Sequence, residues 1–235
     1  MKILVIGSGV PFREHGEVGV TAVNIVFYQL ICGLLGLGYE VALQLIFNEH
    51  RATTELTGSE EAELRHMADL GVILLPPIYR DEYRQAGSPR SRLAKLGRLA
   101  SWCLGASDLD DFYPAVVLGD TIEDRVRSLG AKAILTIWSP EGVAAAHGVR
   151  DVPRIAYHGD IDFGPAAARI RDRSLFVNGD REGSRVTSRV LLDALRKRLF
   201  LARFKRAHLQ LMKGVDVIAN VTACNADFYT ATGHP

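Results

Sequence analysis

Residues 1–20 read MKILVIGSGVPFREHGEVGV. Residues 3–6 form a short, fully apolar run, and the sequence GSG follows directly at residues 7–9. A polar, glycine-containing loop continues to Gly19, and from there to Tyr39 the chain carries no charge. A buried strand, a glycine-rich turn and a helix form the first β-turn-α unit of a doubly wound sheet. Such a turn places ligands at the carboxyl end of the strand, beside the positive end of the next helix, so we expect function to converge there.

The same alternation of apolar runs and helix-like segments continues along the whole chain. Strands are predicted over residues 3–6, 39–47, 72–75, 133–138, 154–157 and 215–220. Helices are predicted over residues 19–35, 59–70, 91–104, 113–129 and 187–212, with two more that begin at residues 139 and 222, and residues 78–91 are predicted to be a long loop. Six strands that alternate with helices predict a single Rossmann-like α/β domain over residues 1–235, with a doubly wound, mainly parallel sheet and helices on both faces.

The charge is distributed unevenly although the formal net charge is only +1. Residues 1–164 hold 15 Lys or Arg and 21 Asp or Glu, whereas residues 165–213 hold 13 Lys or Arg and 4 Asp or Glu. A basic segment that is confined to one part of the chain indicates an anionic partner, such as a membrane face or a phosphate-bearing substrate. The alternative is a helix face that is simply solvated. We expect no nucleic-acid partner. The candidate anion-facing residues are Arg196, Lys197, Arg203, Lys205 and Arg206.

The cysteines and histidines predict no disulfide framework and no metal centre. Cys32, Cys103 and Cys224 are far apart and odd in number, which indicates a reducing compartment without a zinc site. Cys32 and Cys224 are expected to be buried, because their surroundings are helical and mostly apolar. Five histidines in polar or helical contexts are expected to be exposed: His50, His66, His147, His208 and His234.

The uncharged stretch at residues 18–39 has the length of a transmembrane helix. Asn24, Gln29 and three glycines make it less apolar than a spanning helix, and no small-residue cleavage site follows that would fit a signal peptide. A helix that packs between a sheet and another layer has the same composition, and this is the interpretation that we adopt.

The GSG turn begins like a dinucleotide-binding fingerprint and then departs from it. Phe12 replaces the third glycine, and the helix is predicted to start about ten residues too late. Residues 44–47, at the end of the second strand, hold no acid that would bind a ribose. Nicotinamide or flavin binding is therefore disfavoured, and no phosphate-binding GKS or GKT motif occurs.

Two other loops carry candidate site residues. Gly16, Glu17 and Gly19 lie just before the first helix, where backbone N–H groups meet a phosphate or a sugar hydroxyl, although an ordinary loop has the same composition. Asp160 and Asp162 follow His158 just past a short apolar strand. An imidazole and carboxylates at the end of a strand are suited to general-base catalysis, and the alternative is a histidine that hydrogen-bonds a neighbouring loop.

Taken together, these features resemble the N-terminal, acceptor-side domain of a GT-B glycosyltransferase of the large group called family 4, or group 1. Three stretches carry the resemblance, and they span nearly the whole chain. They are the opening strand, loop and helix up to LGYEV at residues 37–41, the strand PRIAYHGD at residues 153–160, and the basic helix, DVIAN strand and last helix over residues 203–231.

The resemblance implies a metal-independent transferase with no cofactor, which moves a sugar from a nucleotide-sugar donor to a sugar or lipid-linked acceptor of the cell envelope. It implies that Gly16 and Gly19 contact the donor diphosphate or the acceptor, although Glu17 and Val18 separate glycines that the family has side by side. It implies that His158 lies near the reacting sugar. The chain ends about where the hinge to the donor-binding domain would begin, so we expect a cytoplasmic protein, peripheral at the inner membrane face, that is inactive without that domain.

Two other functions stay open at this stage. The chain is alternatively a non-catalytic binding or anchoring subunit of a split glycosyltransferase, or a nucleotide-binding Rossmann domain of the oxidoreductase type.

Overall fold

The computed structural model describes residues 1–14, 20–47, 56–84, 108–158, 188–220 and 222–234, together with residues 161, 164, 167 and 168. The strands of this part of the chain are β1 (Lys2–Gly7), β2 (Glu40–Phe47), β3 (Ile73–Leu74), β4 (Ile78–Tyr79), β5 (Ala133–Ile137), β6 (Arg154–His158) and β7 (Val217–Asn220). The helices are α1 (Ala22–Gly36), α2 (Gly58–Asp69), α3 (Arg80–Arg84), α4 (Asp108–Phe112), α5 (Gly119–Leu129), α6 (Pro140–Ala146), α7 (Ser188–Met212) and α8 (Ala223–Ala231), and a 3-10 helix covers Pro114–Leu118.

These strands form one sheet in the order β3-β2-β1-β5-β6-β7, with β4 paired to β2 beyond the end of β3. All of these strand pairs are parallel. The sheet grows from β1 toward β2 and β3 on one side, and from β5 toward β6 and β7 on the other. The expected doubly wound, parallel α/β sheet is therefore confirmed, and its topological switch point lies between β1 and β5.

The period-two alternation of β1 divides the core into two layers. Ile3 and Val5 face the layer that contains Phe27 and Ile31 of α1. Leu4 and Ile6 face the opposite layer, which is built from α5, α6, the carboxyl-terminal half of α7 and the 3-10 helix. Because helices cover both faces, β1 is buried on both sides, and a continuous apolar run is the pattern that such a strand requires.

The structure differs from the predicted elements in where several helices and one strand begin. The predicted helix at residues 113–129 is instead the 3-10 helix followed by α5, because Pro114 starts a short helix and Gly119 begins the next, and α4 precedes both. The predicted loop at residues 78–91 begins with β4 and α3. Helix α2 is capped by Thr57 instead of Ser59, since Thr57 and Glu60 form a reciprocal capping box. The predicted helix at residues 91–104 lies outside the described residues.

The two described cysteines lie in helices as predicted, but only one is shielded. Cys32 is partly buried in α1, whereas Cys224 is exposed in the first turn of α8. The expectation that Cys224 is buried is wrong, because α8 packs at the end of the sheet through Phe228 and Tyr229 and leaves its first turn in solvent.

Candidate functional site

The switch point is built around the end of β1. A Cβ at Gly7 would overlap the ring of Phe27, so only glycine allows α1 to approach the strand this closely. The loop that follows is fixed to α1, because Phe12 N–H donates to the Asn24 carbonyl at 3.1 Å and Asn24 Nδ2 donates to the Val10 carbonyl at 2.8 Å. Ser8 is thereby held at the carboxyl edge of the sheet.

A second anchor joins this loop to α2. Arg13 Nε donates a hydrogen bond to Glu63 Oε1 at 3.1 Å. Arg13 Nη2 also lies 3.1 Å from Glu63 Oε1, so the two side chains form an ion pair. Glu63 is buried, whereas the Arg13 side chain is 48% exposed, so the pair is only partly shielded from solvent. Loop residues 8–14 are therefore tied to two helices on the same face of the sheet.

A polar group, which we name the switch-point cluster, consists of Ser8, Trp138, Ser139 and Glu141. The hydroxyls of Ser8 and Ser139 lie 2.6 Å apart, and Ser8 Oγ lies 3.5 Å from Glu141 Oε2. Ser139 is buried and caps α6, since its Oγ accepts a hydrogen bond from Gly142 N–H at 2.9 Å. Ser8 and Glu141 are half-buried at the carboxyl edge of the sheet.

Trp138 links the end of β5 to α6 through an unusual backbone conformation. Its φ is +42°, in the left-handed region that L-residues with large side chains rarely adopt. Its N–H donates to the Tyr157 carbonyl at 2.9 Å, and the two rings lie 5.7 Å apart. Its indole Nε1 is buried with no hydrogen-bond partner among the described residues. Such strain is found most often at functional sites, because the surrounding fold must hold it in place.

The negative charge of Glu141 also influences α3. Tyr83 is buried and its hydroxyl donates to the Phe47 carbonyl at 3.2 Å. Burial is the main cause that raises the pKa of Tyr83 to about 12, and the carboxylate of Glu141 contributes in the same direction, while Arg80 opposes it. The carboxylate of Glu141 thus influences the pKa of Tyr83 on α3 and also lies near the hydroxyl of Ser8.

His158, the predicted catalytic residue, ends β6 at the same sheet edge. It is 2% exposed, and its ring lies 5.8 Å from the ring of His208. His208 Nδ1 lies 3.1 Å from the Tyr113 hydroxyl, and its Nε2 lies 2.7 Å from the Tyr229 hydroxyl. We name Tyr113, His158, His208 and Tyr229 the histidine network. All four are buried, so in this conformation His158 is held within the protein instead of projecting into solvent.

Hydrogen-bond accounting explains why a histidine suits the centre of this network. A neutral imidazole carries one donor and one acceptor, and each tyrosine hydroxyl can fill either role. Each ring nitrogen of His208 therefore lies within hydrogen-bond distance of one tyrosine hydroxyl. The expectation that His208 and His234 are exposed is wrong, since both are buried against Tyr229, and His147 is partly buried against the Leu211 carbonyl.

Of the predicted loop residues, none lies in the described part of the chain. Gly16, Glu17 and Gly19 fall within residues 15–19, and Asp160 and Asp162 fall within residues 159–163. Their assignment to substrate or phosphate binding stays a prediction. His158 and Ser8, which border these two segments, both lie at the carboxyl edge of the sheet.

The predicted basic residues lie on α7 but do not share one environment. Arg196, Lys205 and Arg206 are exposed, and Lys197 is half-buried. Arg203 is 2% exposed, and its Nη2 lies 3.1 Å from Asp111 Oδ2, with its guanidinium 5.9 Å from the centre of the Phe112 ring. The assignment of Arg203 to a solvent-facing basic surface is therefore wrong, because the helix packs that side against α4.

Sequence reasoning missed most of the switch-point cluster. Glu141 and Ser139 were interpretable only as the start of a helix, and nothing in the sequence indicates a positive φ at Trp138. His208 and Tyr229 are separated from His158 by 50 residues or more. The only sequence signal for His208 is that a polar residue lies on the apolar side of a helix that is basic elsewhere.

Within the described residues, no three potential ligands come close enough to hold a metal ion. No helix of that part of the chain has both the length and the apolar character needed to cross a membrane. Comparison of the chain with protein-family models and with curated protein sequences found no match. The class that the structure defines is a Rossmann-like parallel α/β domain with a polar switch point.

Proposed function

We propose that the chain is the acceptor-binding domain of a GT-B glycosyltransferase of the family 4 type, which transfers a sugar from a nucleotide-sugar donor. The observation that carries the proposal is the crevice between β1 and β5, where Ser8, Trp138 and Glu141 meet. Ligands of open α/β sheets bind outside the carboxyl ends of the strands at this point. Hydroxyl, carboxylate and aromatic side chains there are suited to a polyhydroxylated ligand.

In this proposal His158 supplies a hydrogen bond to the substrate from the end of β6, and its network fixes the ring. Gly16, Glu17, Gly19, Asp160 and Asp162 are proposed to bind the substrate or its phosphate groups, as the sequence predicts. The donor is held by a second Rossmann-like domain that closes on this one, and no metal or further cofactor takes part.

The test is a transfer assay on two proteins, the product of the complete gene and residues 1–235 alone. Each is incubated with a panel of nucleotide sugars and a membrane extract as acceptor. The proposal expects transfer by the first and none by the second, and His158→Ala in the active protein lowers kcat by roughly 100-fold or more. Lys132→Ala, on the opposite edge of the sheet, serves as the control. Transfer by residues 1–235 alone would overturn the division into two domains.

If the gene encodes only these residues, activity requires a separate donor-binding chain. The non-catalytic anchoring subunit is then the alternative, and it predicts acceptor binding without transfer. A pull-down that yields a nucleotide-sugar-dependent transferase activity supports the catalytic subunit, and recovery of the chain with no such activity supports the anchoring role.

The dinucleotide alternative is disfavoured by the end of β2. Gln44 is fully buried, and its Nε2 donates to the carbonyls of Leu45 at 2.8 Å and Pro76 at 3.0 Å. A side chain committed to the backbone in this way does not reach a ribose hydroxyl. A thermal-shift panel of NAD, NADP and FAD checks this directly, and a rise in Tm with any of them would favour the oxidoreductase class.

We also propose that the domain docks on an anionic membrane through the exposed part of α7. Leu195 is 64% exposed, Leu199 is 40% exposed and Phe200 is 41% exposed, and Arg196 and Arg198 lie among them in the sequence and are exposed as well. Apolar side chains mixed with cations are the composition of helices that lie in the membrane interface. This placement assigns the enzyme to the inner face of the cytoplasmic membrane.

Vesicle co-sedimentation tests the docking. Binding to vesicles with phosphatidylglycerol is expected to exceed binding to pure phosphatidylcholine and to fall as salt is raised. The double variant Arg196→Ala/Arg198→Ala is expected to bind the anionic vesicles about tenfold more weakly. Arg127→Ala on α5 is expected to leave vesicle binding unchanged. Salt-independent binding, or none, would remove the membrane from the proposal and leave the acceptor site intact.

A further inference from the structure

We infer that Asn220, at the carboxyl end of β7, is a ligand-binding residue whose carboxamide holds two neighbouring hydroxyl groups of an acceptor sugar. The inference rests on the proposed function and deepens it, because it assigns a substrate contact beside His158 and names the chemical group that this contact recognises. A carboxamide carries an N–H donor and a carbonyl acceptor side by side. A vicinal diol matches both, since one of its hydroxyls accepts a hydrogen bond while the other donates one.

The sheet places Asn220 directly beside His158. The two residues are register partners at the carboxyl ends of β7 and β6, and the backbones of paired strands run about 4.8 Å apart. Side chains alternate between the two faces of a strand, so Asn220 shares a face with Ile218. In the same way, His158 shares a face with Ala156. Because Ala156 and Ile218 both pack in the layer that contains α5, α6 and α7, the two polar side chains lie on one face of the sheet.

The carboxamide of Asn220 makes no hydrogen bond to the fold. Its Oδ1 and its Nδ2 are both shielded from solvent, and neither has a hydrogen-bond partner in the part of the chain that the structure describes. A buried amide with an unsatisfied donor and an unsatisfied acceptor destabilises a native protein, so such groups are few and call for an explanation. Asn220 as a whole is only partly buried, so its amide lies just beneath the surface at the edge where ligands of parallel α/β sheets bind.

Asn24 shows the same side chain in a structural role. Its Nδ2 donates to the Val10 carbonyl at 2.8 Å, and its Oδ1 accepts a hydrogen bond from Thr21 N–H at 2.9 Å. Replacement of Asn24 by leucine, which has about the same size, breaks both hydrogen bonds. Replacement of Asn220 by leucine breaks neither kind and removes two unsatisfied polar atoms. A structural asparagine and a ligand-binding one therefore respond oppositely to this substitution.

The first measurement is the thermal unfolding of residues 1–235. Asn220→Leu is expected to raise Tm by about 2–4 °C, because an apolar group replaces a buried polar group that has no partner in the fold. Asn24→Leu is the matched control and is expected to lower Tm. A Tm for Asn220→Leu below that of the wild type would show that the fold uses this amide, and it would overturn the inference.

The second measurement is sugar binding by the same chain, followed by calorimetry. Mannose, galactose and glucose serve as probes, because they differ in the arrangement of their adjacent hydroxyls. At least one of them is expected to bind, and to bind Asn220→Leu and the smaller Asn220→Ala at least about tenfold more weakly, since two hydrogen bonds are lost. Glu123→Gln on α5, where Glu123 pairs with Arg127 at 2.8 Å, is the control and is expected to bind as the wild type does.

Deoxy analogues of the sugar that binds identify the contact itself. The analogue that lacks one of the two recognised hydroxyls is expected to bind the wild type about tenfold more weakly than the parent sugar does. Asn220→Leu is expected to bind the parent sugar and this analogue equally, within about twofold, because the group that distinguished them is gone. No binding by any of the three hexoses, equal binding by the wild type and both Asn220 variants, or a discrimination that survives Asn220→Leu would overturn the inference.

The outcomes also separate this inference from the proposed function. A hexose that binds through Asn220 while the complete gene product transfers no sugar would retain the binding residue and reject the transferase. Sugar transfer with kcat and KM unaffected by Asn220→Leu would retain the transferase and reject the binding residue.

Discussion

The switch-point cluster and the histidine network lie at the same edge of one sheet, yet they differ in nearly every physical property. Ser8 and Glu141 of the cluster are half-buried, and the hydrogen bond from Ser8 to Glu141 is long at 3.5 Å. In the network, His208 is fully buried and both of its ring nitrogens lie within 3.1 Å of a tyrosine hydroxyl. The first region is partly exposed to solvent, and the second is buried in the core.

This difference bears on His158, which the sequence predicts as the catalytic residue and which the proposed function places at the substrate. His158 was the expected catalytic group because an imidazole at the end of a strand suits proton transfer. Its burial beside His208 makes it a part of the packed interior, while the neighbouring Ser8 and Glu141 remain accessible. The edge of the sheet thus combines a buried polar network with a half-buried polar cluster.

The largest expected effect comes from the buried charge next to the network. Arg203→Ala removes a buried side chain that pairs with the largely shielded carboxylate of Asp111, and it is expected to lower the free energy of unfolding by about 3 kcal/mol. Urea denaturation measures it. Arg198→Ala, exposed on the same helix, should change stability by less than about 0.5 kcal/mol. If the two substitutions cost the same, the burial of Arg203 contributes nothing and the contrast with the exposed half of α7 is lost.

The second prediction compares the two regions directly. His208→Ala removes the ring that hydrogen-bonds the Tyr113 and Tyr229 hydroxyls and leaves a cavity in the core, so it is expected to cost about 2–3 kcal/mol in urea denaturation. Ser8→Ala removes a hydroxyl from a half-buried site, where water replaces it, and is expected to cost less than about 1 kcal/mol. A reversal of this order would mean that the cluster, and not the network, holds the sheet edge together.

The two regions also show how far the sequence predicts this protein. The apolar runs at residues 3–6 and 133–138 are local signals, and they led correctly to a parallel sheet with helices on both faces. Pro140 after Ser139 is a local signal too, and Ser139 caps α6 as expected. The contact between Ser8 and Ser139 spans 131 positions of sequence, so no periodicity encodes it. The burial of His208 and Arg203 depends on where α7 packs. The average basic composition of this helix does not indicate which of its polar residues are buried.

The third prediction uses His147, a partly buried histidine outside both regions. Burial is the main cause that lowers the pKa of His147, and the nearby Arg154 and Arg150 act in the same direction. The unfolded chain, with an ordinary pKa of about 6.5, then takes up a proton at a pH where the folded protein does not. Stability present above pH 6.5 is therefore lost as the pH falls toward the lowered folded pKa, with a slope below the limit of about 1.4 kcal/mol per pH unit.

Urea denaturation of the wild-type protein and of His147→Gln between pH 7.5 and pH 5.5 checks this slope. The wild type is expected to lose stability more steeply than the variant. Because the histidine network is present in both proteins, its own response cancels in the comparison. Parallel pH profiles would mean that the buried His147 carries no pH sensitivity, whatever the rest of the protein does.

The smallest expected effect isolates the strain in the switch-point cluster. Trp138→Ala and Trp138→Gly both remove the indole, so they lose the same contact with Tyr157 and the same buried Nε1. They differ only in the backbone, because glycine adopts a φ of +42° without steric cost and alanine does not. Elsewhere alanine is the more stabilising of the two, since glycine loses more chain entropy on folding. Here the Gly variant should exceed the Ala variant by about 1 kcal/mol in urea denaturation, and an Ala variant of equal or greater stability would show that residue 138 is not strained.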